Sequence, residues 1–143
     1  MNDHQTKEYL DYDGKIWSSP GTTISPNFAP RFGAQTSISY YRFDAEQGDV
    51  RAQFNLGYMY ETGKGVSQNH KLAVTWYSLA AEQGYAPAQF NLAVMYRNGQ
   101  GVPQNDKTAL KWYTLAAEQG YAHAQNNLKR LENHIAERAS VDS

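Results

Sequence analysis

Apolar residues along most of this chain recur with the spacing of amphipathic helices. One stripe runs through positions i, i+4, i+7 and i+8, filled by Ala88, Leu92, Met95 and Tyr96. A second stripe of the same kind consists of Ala109, Trp112, Tyr113, Ala116 and Ala117. Between them, Gly99 and Gly101 are expected to end the first helix, because glycine takes a left-handed conformation without a side-chain penalty. Asn105 can cap the second helix. The pattern predicts a helix, a short turn and another helix.

This pair of helices is a repeated unit. The stretch from Ala88 to His123 aligns without a gap with the stretch from Ala52 to Pro87, at an offset of 36 residues and with about two thirds of the positions identical. Half units flank the two full ones, since residues 124–128 restart a first helix and residues 37–47 resemble a second helix. The sequence therefore predicts an all-α fold, a short α-solenoid of helix-turn-helix repeats.

Two sets of repeated residues are expected to hold the units together. Trp76 and Trp112 carry the largest side chains of the second helices, and we expect both to insert between neighbouring helices as core residues. Glutamines also recur once per unit at the ends of second helices, namely Gln47, Gln83 and Gln119. Periodic polar residues of this kind are expected to bridge successive repeats by hydrogen bonds.

The pattern A-Q-x-N-L-x-x-M-Y-x-x-G-x-G-V-x-Q-N-x-x-x-A-x-x-W-Y-x-x-A-A-E-Q-G occurs twice in register and resembles the Sel1-like repeat family, relatives of the tetratricopeptide repeats. The resemblance covers roughly residues 37–137. It implies an α-solenoid that serves as a scaffold or as a surface for binding other proteins, in a bacterial setting. Some family members outside the cytoplasm carry a cysteine pair in each unit, and this chain has no cysteine.

Residues 1–36 depart from the repeat. Several prolines and glycines disfavour a continuous helix here, yet Tyr9, Trp17 and Phe28 are too apolar for a purely solvating tail. We expect an irregular N-terminal arm that packs over the exposed end of the first helix, with an arm bound in a groove or a disordered arm as the alternatives. After the repeat region at residues 37–137, residues 138–143 are expected to fray.

The resemblance also implies where a partner would bind. In tetratricopeptide repeats the first helix of each hairpin lines the concave side, and its positions outside the core select the partner. Glu61 and Arg97 occupy the same repeat position with opposite charge, which is typical of a surface tuned to a partner. Carried over by register, the partner-binding candidates are Phe54, Asn55, Tyr58, Glu61, Phe90, Asn91, Val94, Arg97, Asn98, Asn126, Asn127 and Arg130.

Two classes of these candidates have a second interpretation. The asparagines at one repeat position, Asn55, Asn91 and Asn127, could form a ladder of amides for the backbone of a bound peptide. The same amides could instead tie adjacent helices together. Phe54 and Phe90 could likewise belong to an interface or to ordinary packing.

The composition and the motifs give no indication of a catalytic, metal-binding or nucleic-acid-binding site. The formal net charge is −1, which gives no electrostatic reason to expect nucleic acid or a membrane surface as partner. No two of the four histidines have the i, i+3 or i, i+4 spacing of a helical metal pair, and no nucleophile and base form a motif. We therefore expect no enzyme activity, no cofactor and no metal. The N-terminus lacks an apolar run, so a cytoplasmic protein is expected, with export by another route as the alternative.

These observations predict a protein- or peptide-binding repeat module that acts as an adaptor, scaffold or regulatory partner. An immunity protein or inhibitor that covers a toxin or enzyme is a second possibility of the same class. A hydrolase directed at β-lactams or peptidoglycan is the rival from another class, and the absent cysteines argue against it. Because two full units leave large end faces, self-association through the ends of the solenoid is also predicted.

Overall fold

Helices α1 to α6 follow one another along most of the chain. The computed structural model describes residues 6–10, 16–23, 38–39 and 41–142. Within them the helices are α1 (helical at 38–39 and 41–46), α2 (Val50–Thr62), α3 (His70–Glu82), α4 (Ala86–Asn98), α5 (Asp106–Glu118) and α6 (Ala122–Asp142). This alternation of first and second helices confirms the predicted helical repeat of about 36 residues. Contacts divide the chain into two compact units, Met1–Trp76 and Tyr77–Ser143.

The turn between a first and a second helix is built in the same way in both repeats. Gly63 and Gly99 follow α2 and α4 with φ of 77° and 70°, the left-handed conformation that was predicted for Gly99. At the start of α5 the Asn105 side chain accepts a hydrogen bond from the Thr108 backbone N–H at 3.0 Å, which confirms the predicted cap. The backbone N–H of Asn105 also donates to the carbonyl of Tyr96 at 2.8 Å. The turn therefore fixes the start of α5 beside the end of α4.

The core of the first unit contains small and aliphatic side chains. Ala45, Ala52, Leu56 and Met59 are buried together, and Trp76 lies partly buried against them. The side-chain amide of Gln53 donates to the carbonyl of Ala45 at 3.1 Å and satisfies the exposed end of α1.

In the second unit, the tyrosine of the Trp-Tyr pair is the core residue. Trp112, expected to be a core residue, is only half-buried, and the Lys111 ammonium lies 4.8 Å from the centre of its ring. Tyr113 is 2% exposed, and its ring centre lies 5.9 Å from that of Phe90 on α4. One residue is a step of 100° around a helix, so a wide apolar stripe does not reveal which of two adjacent aromatic residues points to the partner helix.

The last helix is longer than its counterparts. Helices α2 to α5 have 13 residues each, whereas α6 has 21 and continues to Asp142. Ile135 and Glu137 occupy the repeat positions of Gly99 and Gly101, so the glycines that follow α4 have no counterpart after His134. The expectation of a frayed tail from residue 138 therefore differs from the structure, in which residues up to 142 are helical.

Two short strands replace part of the irregular arm that was predicted at the N-terminus. Strand β1 (Thr6–Leu10) pairs antiparallel with β2 (Ile16–Thr23), with Leu10 opposite Ile16 and a register shift nearer Thr6. The sequence between the strands contains Asp13-Gly14, a dipeptide typical of hairpin turns. Strand β1 lies close to α2 within the first unit. The rest of the predicted arm, residues 1–5, 11–15 and 24–36, lies outside the described residues.

Candidate functional site

The predicted partner-binding residues lie on the first helices α2, α4 and α6, and they divide by exposure. Three of them are buried, namely Phe54 and Asn55 at 1% exposure and Phe90 at 9%. Six are half-buried, namely Tyr58, Glu61, Asn91, Val94, Arg97 and Asn127. The exposed ones are Asn98, Asn126 and Arg130. Choosing the candidates by repeat position alone therefore selected buried residues together with exposed ones.

Ordinary packing accounts for Phe90. Its ring centre lies 5.5 Å from that of Tyr121 and 6.0 Å from that of His123, which flank the first residue of α6. With Tyr113, these rings join α4 to α5 and to the start of α6 within the second unit. Phe54 occupies the same repeat position and is just as inaccessible. Neither phenylalanine offers free surface to a partner in this conformation.

Two of the three repeated asparagines bond inside the protein. The Asn55 side-chain N–H donates to the carbonyl of Arg51 at 2.8 Å. Asn127 on α6 shares a side-chain hydrogen bond with Tyr113 on α5. Burial raises the pKa of Tyr113 above its usual value, and this hydrogen bond and the positive charge of Arg97 partly offset that effect. Only the Asn127 contact joins two helices, because the Asn55 bond lies within α2.

One face of each first helix remains accessible. Tyr58, Val94 and Arg130 share a repeat position on it, and Asn98 follows Val94 one turn later. We call this the first-helix face and define it in the second unit by two rows, Pro87, Asn91, Val94 and Asn98 on α4 and His123, Asn127, Arg130 and His134 on α6. In the first unit, Tyr58 on α2 is the corresponding residue, and the Lys64 ammonium donates to its hydroxyl at 3.3 Å.

Arg97 makes an internal ion pair. Its guanidinium lies 3.4 Å from the Asp106 carboxylate, and that carboxylate is also 4.0 Å from the guanidinium of Arg138 on α6. Nine positions later the first repeat has His70 and the second has Asp106, so the acidic residue stands before the turn in the first repeat and after it in the second. The charge difference between Glu61 and Arg97 therefore has an intramolecular explanation. Comparing both positions between the repeats is the signal that would have revealed this pair from sequence.

Reversing the charge of Arg97 is expected to destabilise the second unit. In Arg97→Glu two carboxylates face each other, and we expect the free energy of unfolding to fall by about 1 kcal/mol. The double variant Arg97→Glu, Asp106→His has the same two residues as the first repeat, Glu61 and His70, and should recover part of the lost stability. Urea denaturation monitored by circular dichroism measures both effects, and a double variant less stable than Arg97→Glu alone would contradict the pairing.

Glutamine side chains link successive elements, as the sequence predicted for Gln119. Its amide donates to the carbonyl of Gly84 at 2.9 Å and to the side-chain oxygen of Gln89 at 3.0 Å. Gln89 in turn donates to the carbonyl of Ala81 at 3.1 Å. Gln125 repeats that bond with Ala117 at 3.2 Å. These glutamines are structural and do not belong to the first-helix face.

The described part of the chain shows no candidate metal site and no candidate membrane span. Among those residues, no group of three or more histidine, cysteine, aspartate or glutamate side chains is placed to hold a metal ion. The search for membrane spans, confined to the same residues, finds no helix with the length and apolarity to cross a bilayer.

Sequence comparison decides the family. The Sel1 repeat matches residues 50–85 and 86–121, two consecutive units of 36 residues. The chain belongs to the Sel1 repeat family. Sel1 repeats form helical scaffolds, and proteins built from them generally bind other proteins.

Solved Sel1 structures resemble this chain over about two thirds of its length. The Sel1 repeat protein from Oxalobacter formigenes is 43% identical with a TM-score of 0.65, over 67% of this chain and 40% of that one. The protective antigen c5321 of uropathogenic Escherichia coli, which displays an SLR fold, is 42% identical with a TM-score of 0.63, over 64% and 20%. Helicobacter pylori cysteine rich protein B is 28% identical with a TM-score of 0.62, over 66% and 71%. The chain thus spans less than half the length of the first two.

Proposed function

We propose that this chain is an adaptor or scaffold that binds another protein, or a peptide segment of it, through the first-helix face, and that it performs no reaction itself. The observation that carries the proposal is the contrast between two sets of positions on the same helices. Two positions that pack inward, those of Ala52 and Leu56, keep one residue type in all three copies, whereas an accessible position carries a different residue type in every copy.

The contrast is clearest at two neighbouring repeat positions. Leu56 and Leu92 are identical and 0% and 1% exposed. Two residues later the accessible position holds Tyr58 on α2, Val94 on α4 and Arg130 on α6. An aromatic, an aliphatic and a cationic side chain have no common structural task, but each can contribute a different contact to a partner. This supports a surface whose chemistry is set unit by unit on a constant scaffold.

Blocking this face is expected to prevent partner capture. We expect Val94→Trp to place an indole over the space between Asn91 and Asn98 and so to exclude a bound segment. The matched control is Leu115→Trp on α5, where a leucine that is 37% exposed lies on a second helix. Both changes replace an aliphatic side chain by tryptophan on the surface of a helix of the same unit.

The measurement is affinity capture from a lysate of the native cells with quantitative mass spectrometry, after circular dichroism has shown equal helicity of the three proteins. Proteins retained by the wild type and by Leu115→Trp, but depleted at least tenfold with Val94→Trp, are the expected result. Equal retention by Val94→Trp and the wild type would refute the assignment of this face.

A further inference from the structure

The first-helix face of the second unit has no carboxylate. Its row on α4 contains a proline, two asparagines and a valine, and its row on α6 contains an asparagine, an arginine and two histidines. Arginine is cationic, and none of the other side chains in the two rows can be anionic, so the face is positive. The chain as a whole has one more acidic than basic residue, 14 against 13. The net charge of the face is therefore opposite in sign to the net charge of the whole chain.

Arg130 supplies the fixed charge of this face, and no described residue neutralises it. Its neighbours at i±3 and i±4 along α6 are Asn126, Asn127, Asn133 and His134, none of which is acidic. The other arginines of this unit differ, since Arg97 and Arg138 both approach the Asp106 carboxylate. Within the described ranges Arg130 makes no ion pair, and its side chain is exposed. An arginine without a counterion on a face free of carboxylates favours an anionic group from outside.

We infer that the segment bound at the first-helix face is acidic, with an aspartate or glutamate placed opposite Arg130. This inference rests on the proposed function and names the chemistry of the partner. Guanidinium and carboxylate form two parallel hydrogen bonds, a geometry that gives specificity as well as attraction. The exposed amide of Asn98 on the neighbouring row can donate to a peptide carbonyl and accept from a peptide N–H. Together these groups fit a peptide that carries carboxylates, whose charge also speeds association.

The number of cations argues for a peptide and against a nucleic acid. A protein that binds a phosphate backbone neutralises several phosphates with lysine and arginine. The two rows contain one arginine and no lysine, and Val94 occupies the centre of the α4 row. A single fixed charge among amides matches one or two carboxylates better than a continuous line of phosphates.

A random dodecapeptide library displayed on phage tests the sign of the charge that the face prefers in its partner. We expect peptides selected by the full-length wild-type chain to be enriched in aspartate and glutamate relative to the unselected library. A fluorescein-labelled copy of the most enriched peptide should bind about tenfold more weakly to Arg130→Glu, as measured by fluorescence anisotropy at low salt.

The matched control is Lys129→Glu. It changes the net charge by the same amount on the same helix, but Lys129 occupies the repeat position of the buried Ala93 and has Glu132 at i+3. Its affinity for the peptide should stay within about twofold of the wild type, because it points away from the face. Equal weakening in both variants would show a general effect of charge and would overturn the role of Arg130.

Three further results would also overturn the inference: selected peptides without an acidic excess, no enrichment at all, or displacement of the labelled peptide by a 20-nucleotide oligothymidine at equal concentration. The proposed function is tested separately, because the capture experiment with Val94→Trp does not depend on the charge of the partner. Loss of capture together with neutral selected peptides would retain the binding face and reject its acidic ligand.

Discussion

Tyr113→Ala is expected to lower the free energy of unfolding by about 3–5 kcal/mol, the range found when a buried aromatic side chain is truncated. Tyr113 is 2% exposed and packs against Phe90. Its removal leaves a cavity between α4 and α5 and deprives Asn127 of a hydrogen-bond partner. Since domains are stable by only about 5–15 kcal/mol, this single change should remove a large part of the total.

The adjacent tryptophan is the control for this prediction. Trp112→Ala deletes a larger side chain, but a less deeply buried one, and should cost less than Tyr113→Ala. Tyr113→Phe keeps the ring and loses only the hydroxyl, at a cost of about 1 kcal/mol. Urea denaturation monitored by circular dichroism at 222 nm ranks the three variants. A greater loss in Trp112→Ala than in Tyr113→Ala would reject the assignment of tyrosine as the core residue.

Gly99→Ala is expected to cost about 2–3 kcal/mol, which is large for the addition of one methyl group. Gly99 has φ of 70°, where an L-residue loses roughly 1–2 kcal/mol. An added Cβ would in addition lie 3.2 Å from the Cβ of Gln104 and 3.5 Å from its Cα, so the turn between α4 and α5 must shift. Thermal unfolding of the purified variant measures the combined penalty.

A second glycine separates the two contributions. Gly120 has φ of 85°, but an added Cβ there meets no heavy atom within 4 Å. Gly120→Ala should therefore lose only the conformational part, about 1–2 kcal/mol. If Gly99→Ala and Gly120→Ala were equally destabilised, the close approach of Gln104 would have no energetic consequence and the turn would be more adaptable than the structure indicates.

The sequence predicted the helical repeat because the physics of that repeat is local. The position of Gly99 requires a backbone conformation that glycine favours, and the cap at Asn105 involves residues only three positions apart. Both can therefore be read from a short window of residues. The same holds for the 36-residue period, which two copies display directly.

Contacts between elements were harder to predict. Whether Trp112 or Tyr113 points inward depends on the rotation of α5 against α4, which hydrophobic periodicity fixes only to within about one residue. For the same reason the sequence left Phe54 and Phe90 open between an interface and ordinary packing, and the structure shows that both are buried. The ion pair of Arg97 was missed because its partner, Asp106, lies beyond the turn. The strands β1 and β2 were missed because prolines and glycines dominated the interpretation of that segment.

The extended end of α6 affects which helix α6 packs against during folding. Two thirds of the positions in the full units are identical, so a misfolded chain could dock its last helix on α3 in place of α5 with many of the same apolar contacts. Arg138 lies in the part of α6 that continues past the repeat position at which α4 ends, and it approaches Asp106 on α5. The corresponding residue of α3 is His70, which offers no carboxylate. The added turns of α6 thus distinguish the correct neighbour from its near copy and disfavour a slip by one whole repeat.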